Sequence, residues 1–404
     1  MAKKLRVGVL FGGRSGEHEV SLRSAQSILQ AIDRKKYEVV PIGIAKSGQW
    51  LGGDDADALL GGGSPLQVGT GGQKLSTRKA HANAVASVAD ALGDTPQAGN
   101  TSAALSLQAS ATGSQAAGLD VVFPVLHGTF GEDGTIQGML ELANVAYVGS
   151  GVLGSSVSMD KDAMKKMFAA AGLPIVKHVT LLRGDWKANP RKCTKVIEER
   201  LQYPVFVKPA NLGSSVGISK VRERKELAAA MDEAAKFDRK IVIEEGVSGA
   251  GKLRGTGKAR ELEVAVLGND NPVASVVGEI VPDREFYDYA SKYDSTSTSE
   301  PVIPAKLTRA ESKAIQAMAT AAFKACDCAG LARVDFLMEA ADPKSKKAPA
   351  IYLNEVNTMP GFTSISMYPK LWEQSGIGYA ELIDRLIALA MERHEERKAT
   401  SFSM

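Results

Sequence analysis

Disulfide chemistry is the first thing missing from this chain. Its three cysteines, Cys193, Cys326 and Cys328, are an odd number and form no C-x-x-C pair. That usage fits a reduced, cytoplasmic protein better than a secreted one. Cys326 and Cys328 have no histidine or further cysteine beside them, so they read as small residues at a helix end rather than a metal site. Long apolar runs are missing too, and nothing approaches the ~20 residues of a membrane span. The amino terminus offers only Val7–Phe11 before two glycines, which reads as a buried strand entering a loop and not as a signal peptide. Charge of one sign is also lacking. The net charge is +3 with no basic block, so a nucleic-acid partner is not indicated. Aromatic residues are absent from Leu51 to Asp120, where Gly, Ala, Ser, Thr and Gln dominate. Such a stretch buries little apolar area and reads as a loose insertion near 51–119, with a short Ala-rich helix around Ala82–Leu92.

What remains is ordered and long. A chain of 404 residues exceeds one ordinary core, so two or three domains are expected. Leu5–Phe11 is a near-continuous apolar strand, as in a parallel sheet covered on both faces. A glycine-rich turn follows, then a helix with Ala25, Ile28, Leu29 and Ile32 at helical spacing, then a strand at Val39–Ile44: a βαβ opening. Further strands are read at Val121–Leu126, Val205–Lys208, Ile218–Val221, Lys240–Glu245, Glu261–Leu267 and Ser275–Ile280. Helices are read at Gly138–Ala143, Asp160–Ala171, Lys225–Lys236 and Tyr379–Glu396, and Thr308 with Glu311 forms a capping-box signature for one more. The Gly-rich turn in 146–154 suggests a first boundary, giving units of 1–149, 150–244 and 245–404.

The strongest chemical signal lies in residues 331–361. Two strands, Arg333–Met338 and Ala350–Leu353, are joined by a Lys-rich turn. Asp335 lies in the first; Glu355 and Asn357 follow the second and project to one side. Together they form a cluster of hard oxygen donors, the kind Mg²⁺ takes beside phosphate oxygens. Arg333 falls on the face of Asp335, and a cation there suits a transferring phosphoryl group. The plain alternative is a hairpin with solvated charges. Lys208–Gly217 places a lysine at a strand end before a small-residue loop, whose N–H groups and Ser214 and Ser215 hydroxyls can cradle an anion. It is not a Walker loop, and an ordinary β-turn is the alternative. Lys161 opens a helix and supplies a second cation. Ile241–Val247, with Glu244, Glu245 and Val247, is a strand end suited to an adenine edge; Glu261 can accept from ribose hydroxyls. Glu17 and His18 sit at a helix mouth, where Glu17 is either a dipole partner or a grip for an ammonium group. His127 ends a buried strand and begins the run HGTFGEDG, at the sheet edge where open α/β sheets receive ligands. Phe286–Tyr293 mixes rings and charges, as a closing loop does.

Together these elements resemble the D-alanine–D-alanine ligases of the ATP-grasp superfamily. The likeness rests on His127–Gly138, on Arg333–Asp335 with Glu355–Gly361, on Phe11–Leu22, on Ser158–Lys161 and on Lys208–Gly217. It covers nearly the whole chain apart from about 51–119 and 249–259. It implies an α/β fold with an N-terminal open parallel-sheet domain and two α+β domains enclosing a nucleotide. It implies that Glu17 holds the amino group of a first D-alanine, with Ser214 and a tyrosine supporting its position, that Lys161, Lys208, Ser214 and Ser215 meet ATP phosphates, and that Glu244, Glu245, Val247, Glu261 and Lys292 line the rest of the nucleotide. Asp335, Glu355 and Asn357 would hold two Mg²⁺ or Mn²⁺ ions, with Arg333 on the phosphoryl group. His127, Gly361, Ser366 and Met367 would line the D-alanine sites. Tyr293 on the closing loop stands where D-lactate-ester-forming members differ, which favours a dipeptide product. A cytoplasmic homodimer with no membrane or nucleic-acid partner is expected. The rivals are D-serine or D-lactate as acceptor, and a regulatory nucleotide binder without turnover.

Overall fold

The computed structural model describes residues 3–61, 118–247, 259–281, 300–340 and 348–401. The first sheet is built around β1 (Leu5–Gly12), buried along six successive residues. Helix α1 (His18–Ala31) returns the chain to β2 (Tyr37–Ile44), which runs parallel to β1. Next come β3 (Trp50–Gly52) and α2 (Asp54–Leu60), two elements inside the stretch read as loose; the rest of that stretch, 62–117, lies outside the described residues. β4 (Val121–Val125), α3 (Thr135–Leu142) and β5 (Ala146–Tyr147) complete a sheet of order β3-β2-β1-β4-β5, parallel except at β3. The carboxyl ends of β1 and β4, which carry Gly12-Gly13 and Leu126-His127, therefore lie side by side.

Helix α1 buries Ala25 and Ile28 as its apolar spacing requires, but also Ser21 and Ser24. Ser21 Oγ accepts from Gly12 N–H at 2.7 Å and donates to the Val125 carbonyl, so both buried polar groups are satisfied.

Helices α4 (Val152–Met159) and α5 (Lys161–Ala170) follow. Asp160 caps α5, accepting from the N–H groups of Asp162 and Ala163 at 3.1 and 3.0 Å. The second sheet takes β6 (His178–Leu182), then after α6 (Arg183–Ala188) and α7 (Pro190–Arg200) come β7 (Val205–Pro209), β8 (Ser219–Val221), α8 (Arg224–Phe237) and β9 (Lys240–Glu245). Its order is β6-β9-β7-β8, all antiparallel. Alternation along β7 and β9 sends Val205, Val207, Ile241 and Ile243 into the core with α8. Phe206, Lys208 and Glu244 go to the other face.

The third sheet has order β12-β11-β10-β13-β14, again antiparallel: β10 (Arg260–Gly268), β11 (Val273–Val281), β12 (Glu300–Val302), β13 (Gly330–Met338) and β14 (Ile351–Asn357). Helix α9 (Arg309–Ala325) carries the expected capping box: Thr308 Oγ1 accepts from Glu311 N–H at 3.2 Å, and Thr308 N–H donates to the Glu311 carboxylate at 2.8 Å. Helices α10 (Met367–Gln374) and α11 (Tyr379–Lys398) end the fold.

Two cores position the site. One joins the first sheet to the third and to α10 and α11, through Phe123, Leu331, Met359, Phe362, Tyr368 and Leu382 among others. The other sets Met164 and Phe168 of α5, with α9, against β10, β13 and β14. Fully burying each such side chain contributes about 1.5–3 kcal/mol. Helix α5, early in the middle span of the chain, is thus seated on the third sheet.

Candidate active site

Three adjacent strands line up their acids. Glu263 on β10 faces Asp335 on β13, which faces Glu355 on β14. Residues directly opposite in antiparallel strands share a face, so the three carboxylates form a row. Glu355 and Asn357 were expected beyond a strand ending at Leu353. They lie inside β14, which runs on to Asn357 past a register shift beside Asp335. Arg333 closes the row. Its Nε and Nη2 donate to the two Asp335 oxygens at 2.8 and 2.7 Å, and its Nε stands 3.2 Å from Glu263 Oε2. Asn357 Nδ2 donates to Asp335 Oδ2 at 3.0 Å. Burial alone would lower the Arg333 pKa; the carboxylates of Asp335 and Glu263 outweigh it and raise it well above the usual value. Among the described residues no three His, Cys, Asp or Glu side chains converge as metal ligands, and Asp335 is turned to the guanidinium. The donor set is all hard oxygen and fits Mg²⁺ or Mn²⁺ once that carboxylate turns.

The cations lie beside this row. Lys161, the first residue of α5, is 7% exposed; its Nζ donates to the Leu212 carbonyl at 2.7 Å and stands 4.0 Å from Glu355 Oε2. Leu212 belongs to the small-residue loop, so the lysine ties that loop to the acid row. Ser214 and Ser215 in the loop adopt φ values of 52° and 59°. Two successive left-handed residues are uncommon outside glycine and mark a strained, functional backbone. Ser214 Oγ donates to Glu17 Oε1, which joins the loop to the mouth of α1. Glu17 also presses on Gly128, where a Cβ would lie 2.7 Å from Glu17 Oε2 at a φ of +75°. Only glycine fits there. Gly128 N–H donates to Glu132 Oε1 at 2.9 Å. Burial, then the Glu17 carboxylate, pushes Glu132 up to about 8.

Lys208 on β7 donates to Glu244 Oε2 at 2.7 Å, and Lys165 Nζ stands 3.0 Å from Glu244 Oε1. Burial would raise Glu244; the two lysines, Lys165 first, outweigh it and hold the carboxyl far below its usual range. Burial would likewise lower Lys208, but Glu244 raises it. Glu261 lies on β10 close enough to add to that rise.

Other expected residues are placed differently. Glu245 is adjacent to Glu244 in β9 and so points to the opposite face, where its Oε2 accepts from Gln202 N–H at 2.9 Å. Its side chain faces away from Lys208. His127 is 4% exposed with both ring nitrogens engaged: Nδ1 with the Met359 carbonyl at 2.9 Å and Nε2 with Ser24 Oγ at 3.0 Å. Burial lowers its pKa, and the ring tethers β4 to the Met359 loop. Ser366 precedes α10 without capping it through its side chain and shares a hydrogen bond with Thr363 Oγ1 at 2.7 Å, beside Gly361. Met367 turns its side chain onto Gly278 of β11, leaving only its backbone at the helix mouth. Val247 ends the described segment after β9; Lys292, Tyr293 and the run 286–293 lie outside the described residues.

Sequence reading missed Lys165, Glu263 and Glu132. Lys165 carried a signal: it follows Lys161 by one turn and sits next to Met164 on the apolar stripe of α5, where a solvated lysine does not belong. Glu263 shares a strand face with Glu261 by simple alternation.

Comparison with known proteins covers both halves of the chain. Residues 6–150 match the family model for the D-ala D-ala ligase N-terminus, and residues 167–388 match that for the C-terminus. The chain is 47% identical over 400 residues to a D-alanine–D-alanine ligase of Geobacillus thermodenitrificans, covering 99% of each. It is 47% identical over 395 residues to one of Chloroherpeton thalassium, covering 98% of each. Relatives aligned over such lengths show that the stretch near 51–119 does not set this chain apart in size. Among solved structures, the D-alanine–D-alanine ligase from Coxiella burnetii aligns with a TM-score of 0.72 at 34% identity, over 98% of this chain and 97% of that one. The VanG D-Ala:D-Ser ligase from Enterococcus faecalis aligns with 0.73 at 33% identity, over 96% and 100%.

Proposed function

This chain belongs to the D-alanine–D-alanine ligase family, and from that premise we propose how its residues divide the work. It is an ADP-forming ligase of ATP-grasp fold that joins two D-alanine molecules for peptidoglycan synthesis. The observation that carries the site assignment is the 4.0 Å approach of Lys161 to Glu355, which sets a cation against the hard-oxygen row in one cleft.

Lys161 and Lys208 take phosphate oxygens of ATP, and the Ser214–Ser215 backbone adds N–H donors. Glu244 and the Val247 backbone meet the adenine, and Glu261 the ribose. Glu17, oriented by Ser214, receives the ammonium group of the first D-alanine. The carboxylate of that D-alanine attacks the γ-phosphorus, the bond to the bridging oxygen breaks, ADP departs and an acyl phosphate remains. Arg333 offsets charge on the transferring group, as oriented cations do in phosphoryl transfer. The second D-alanine docks its carboxylate at the mouth of α10 beside Gly361 and Ser366, where helix N–H groups favour an anion. Its amine attacks the acyl carbon and phosphate leaves. Asp335, Glu355 and Asn357 would hold two Mg²⁺ or Mn²⁺ ions, whose charge would offset that of the triphosphate. By the family resemblance, Lys292 and Tyr293, which lie outside the described residues, would help keep water from the acyl phosphate.

The division into 1–149, 150–244 and 245–404 belongs to the same proposal. Three sheets support it, with α5 the exception, seated on the third sheet. So does a homodimer, supported by exposed Leu142, Val152 and Leu153 on the neighbouring helices α3 and α4. No helix among the described residues is long and apolar enough to cross a membrane. A cytoplasmic setting is supported by three free, buried cysteines.

The test is D-alanine-dependent phosphate release from ATP and Mg²⁺. Release no greater than that without amino acid would leave a nucleotide binder instead. Product analysis with D-alanine, D-serine and D-lactate in competition fixes the acceptor.

A further inference from the structure

Lys165 has no part in the scheme above, yet it is 0% exposed in the nucleotide cleft. It lies one turn beyond Lys161 on α5, held among Met164 and Phe168 of the core. Its Nζ stands 3.0 Å from Glu244 Oε1, and among the described residues no other acceptor meets it. A buried ammonium persists only against a matched charge. The carboxylate of Glu244 is therefore shared: Oε1 with Lys165, Oε2 with Lys208 at 2.7 Å.

The two lysines are not equivalent. Lys208 ends a strand beside the small-residue loop and is the one that reaches phosphate in the proposed function. Engaging phosphate draws it from Glu244 and leaves Oε2 with an open lone pair. Lys165 sits inside a helix packed on the third sheet and has nowhere else to go. Burial works to protonate Glu244, and Lys165 is the first of the groups that oppose it, ahead of Lys208.

We propose that Lys165 is a positioning residue for base recognition: it fixes Glu244 so that Oε2, vacated by Lys208, accepts from the 6-amino group of adenine. The proposal rests on the nucleotide reading of this cleft. It makes Lys165 a determinant of purine choice. A 6-amino purine donates to the fixed carboxylate, whereas a 6-oxo purine sets an acceptor against it. Without Lys165, Glu244 keeps only Lys208 as a charged partner among the described residues, competes with phosphate for it, and no longer presents Oε2.

The test uses Lys165→Met, close in length and without charge, with Lys165→Arg as the conservative partner. For Lys165→Met, KM for ATP should rise about tenfold or more, the scale of a charge-assisted hydrogen bond. The kcat and the KM for D-alanine should stay within about threefold, and the preference for ATP over GTP should shrink. Lys165→Arg should recover much of that preference. Calorimetric binding of the non-hydrolysable analogues AMPPNP and GMPPNP reads the same preference without turnover. A double-mutant cycle with Glu244→Gln adds a decisive arm: once Glu244 is neutral, Lys165→Met should cost nothing further in ATP affinity. The double variant also removes both buried charges together, which keeps the cycle available if the single variant folds poorly. Unchanged nucleotide preference in Lys165→Met, or an equal further loss in the Glu244→Gln background, overturns the inference. A wild-type protein that binds neither analogue overturns the nucleotide reading itself, and this inference with it.

Discussion

Arg333 is held by more acids than its own charge can match. Two Asp335 oxygens and Glu263 surround it, with Glu355 next in the row. Arg333→Ala should therefore leave three carboxylates facing one another, while the adenine end of the cleft stays intact. The expected outcome is a nucleotide Kd within a few-fold of wild type and a kcat lower by about 10²–10³, the usual loss for one preorganised charge partner. Lysine at 333 should rescue poorly, since it cannot make the paired contact to Asp335. Glu132 gives a second test. Its folded pKa of about 8 stands above the ordinary 4.5, so the folded chain binds a proton the unfolded chain releases. That contribution is present below pH 4.5 and is lost as pH rises through 8. Glu132→Gln should then gain thermal stability relative to wild type between pH 6 and pH 9, read as a Tm difference that grows with pH. The thiols behave in the same sense: burial pushes Cys326 up to about 12 and Cys328 up to about 11. Neither should react with a disulfide reagent at pH 8 until the protein is unfolded, since the thiolate is the reactive form.

At the level of elements, helix α5 shows how one start position serves both fold and site. Asp160 caps it, receives Asn211 Nδ2 at 3.1 Å and pairs with Lys240. Asp160→Ala should lower unfolding stability by about 1–2 kcal/mol for the lost cap. It should also raise KM for ATP, because Lys161 follows the cap directly. Urea unfolding and ATP titration separate the two effects. The same helix shows what was legible in sequence. Its start and stop were written in Asp160 and in Gly172-Leu173-Pro174, and the capping box of α9 in Thr308 and Glu311. β14 was cut short because the alternation that marks a half-buried strand breaks at its register shift, near Asn354. The different orientations of Glu244 and Glu245 were hidden for a related reason: two adjacent acids look alike in sequence, yet a strand sends their side chains to opposite faces. Lys165 was passed over because its worth depends on Glu244, 79 residues away in number and on a strand of another sheet, yet only 3.0 Å away in space. No local pattern carries such a pairing.

For the molecule as a whole, the βαβ opening and the strand at Val121–Leu126 followed from apolar runs, while the strand order, β3 and the way the units share cores did not. The exposed Leu142 and Leu153 bear on assembly. Replacing both by Glu should shift a dimer to monomer in light scattering while leaving each chain folded, since neither side chain is in a core. The common core of the first and third sheets has a mechanical corollary. Prising them apart would wet Phe123, Leu331, Phe362 and Tyr368 and break the His127–Met359 tether. At about 1.5–3 kcal/mol for each large side chain, that is too costly for every catalytic cycle. The second sheet keeps its apolar contacts largely to itself and its own helices. It is the jaw that this weld leaves out, so an opening that admits a nucleotide costs least there.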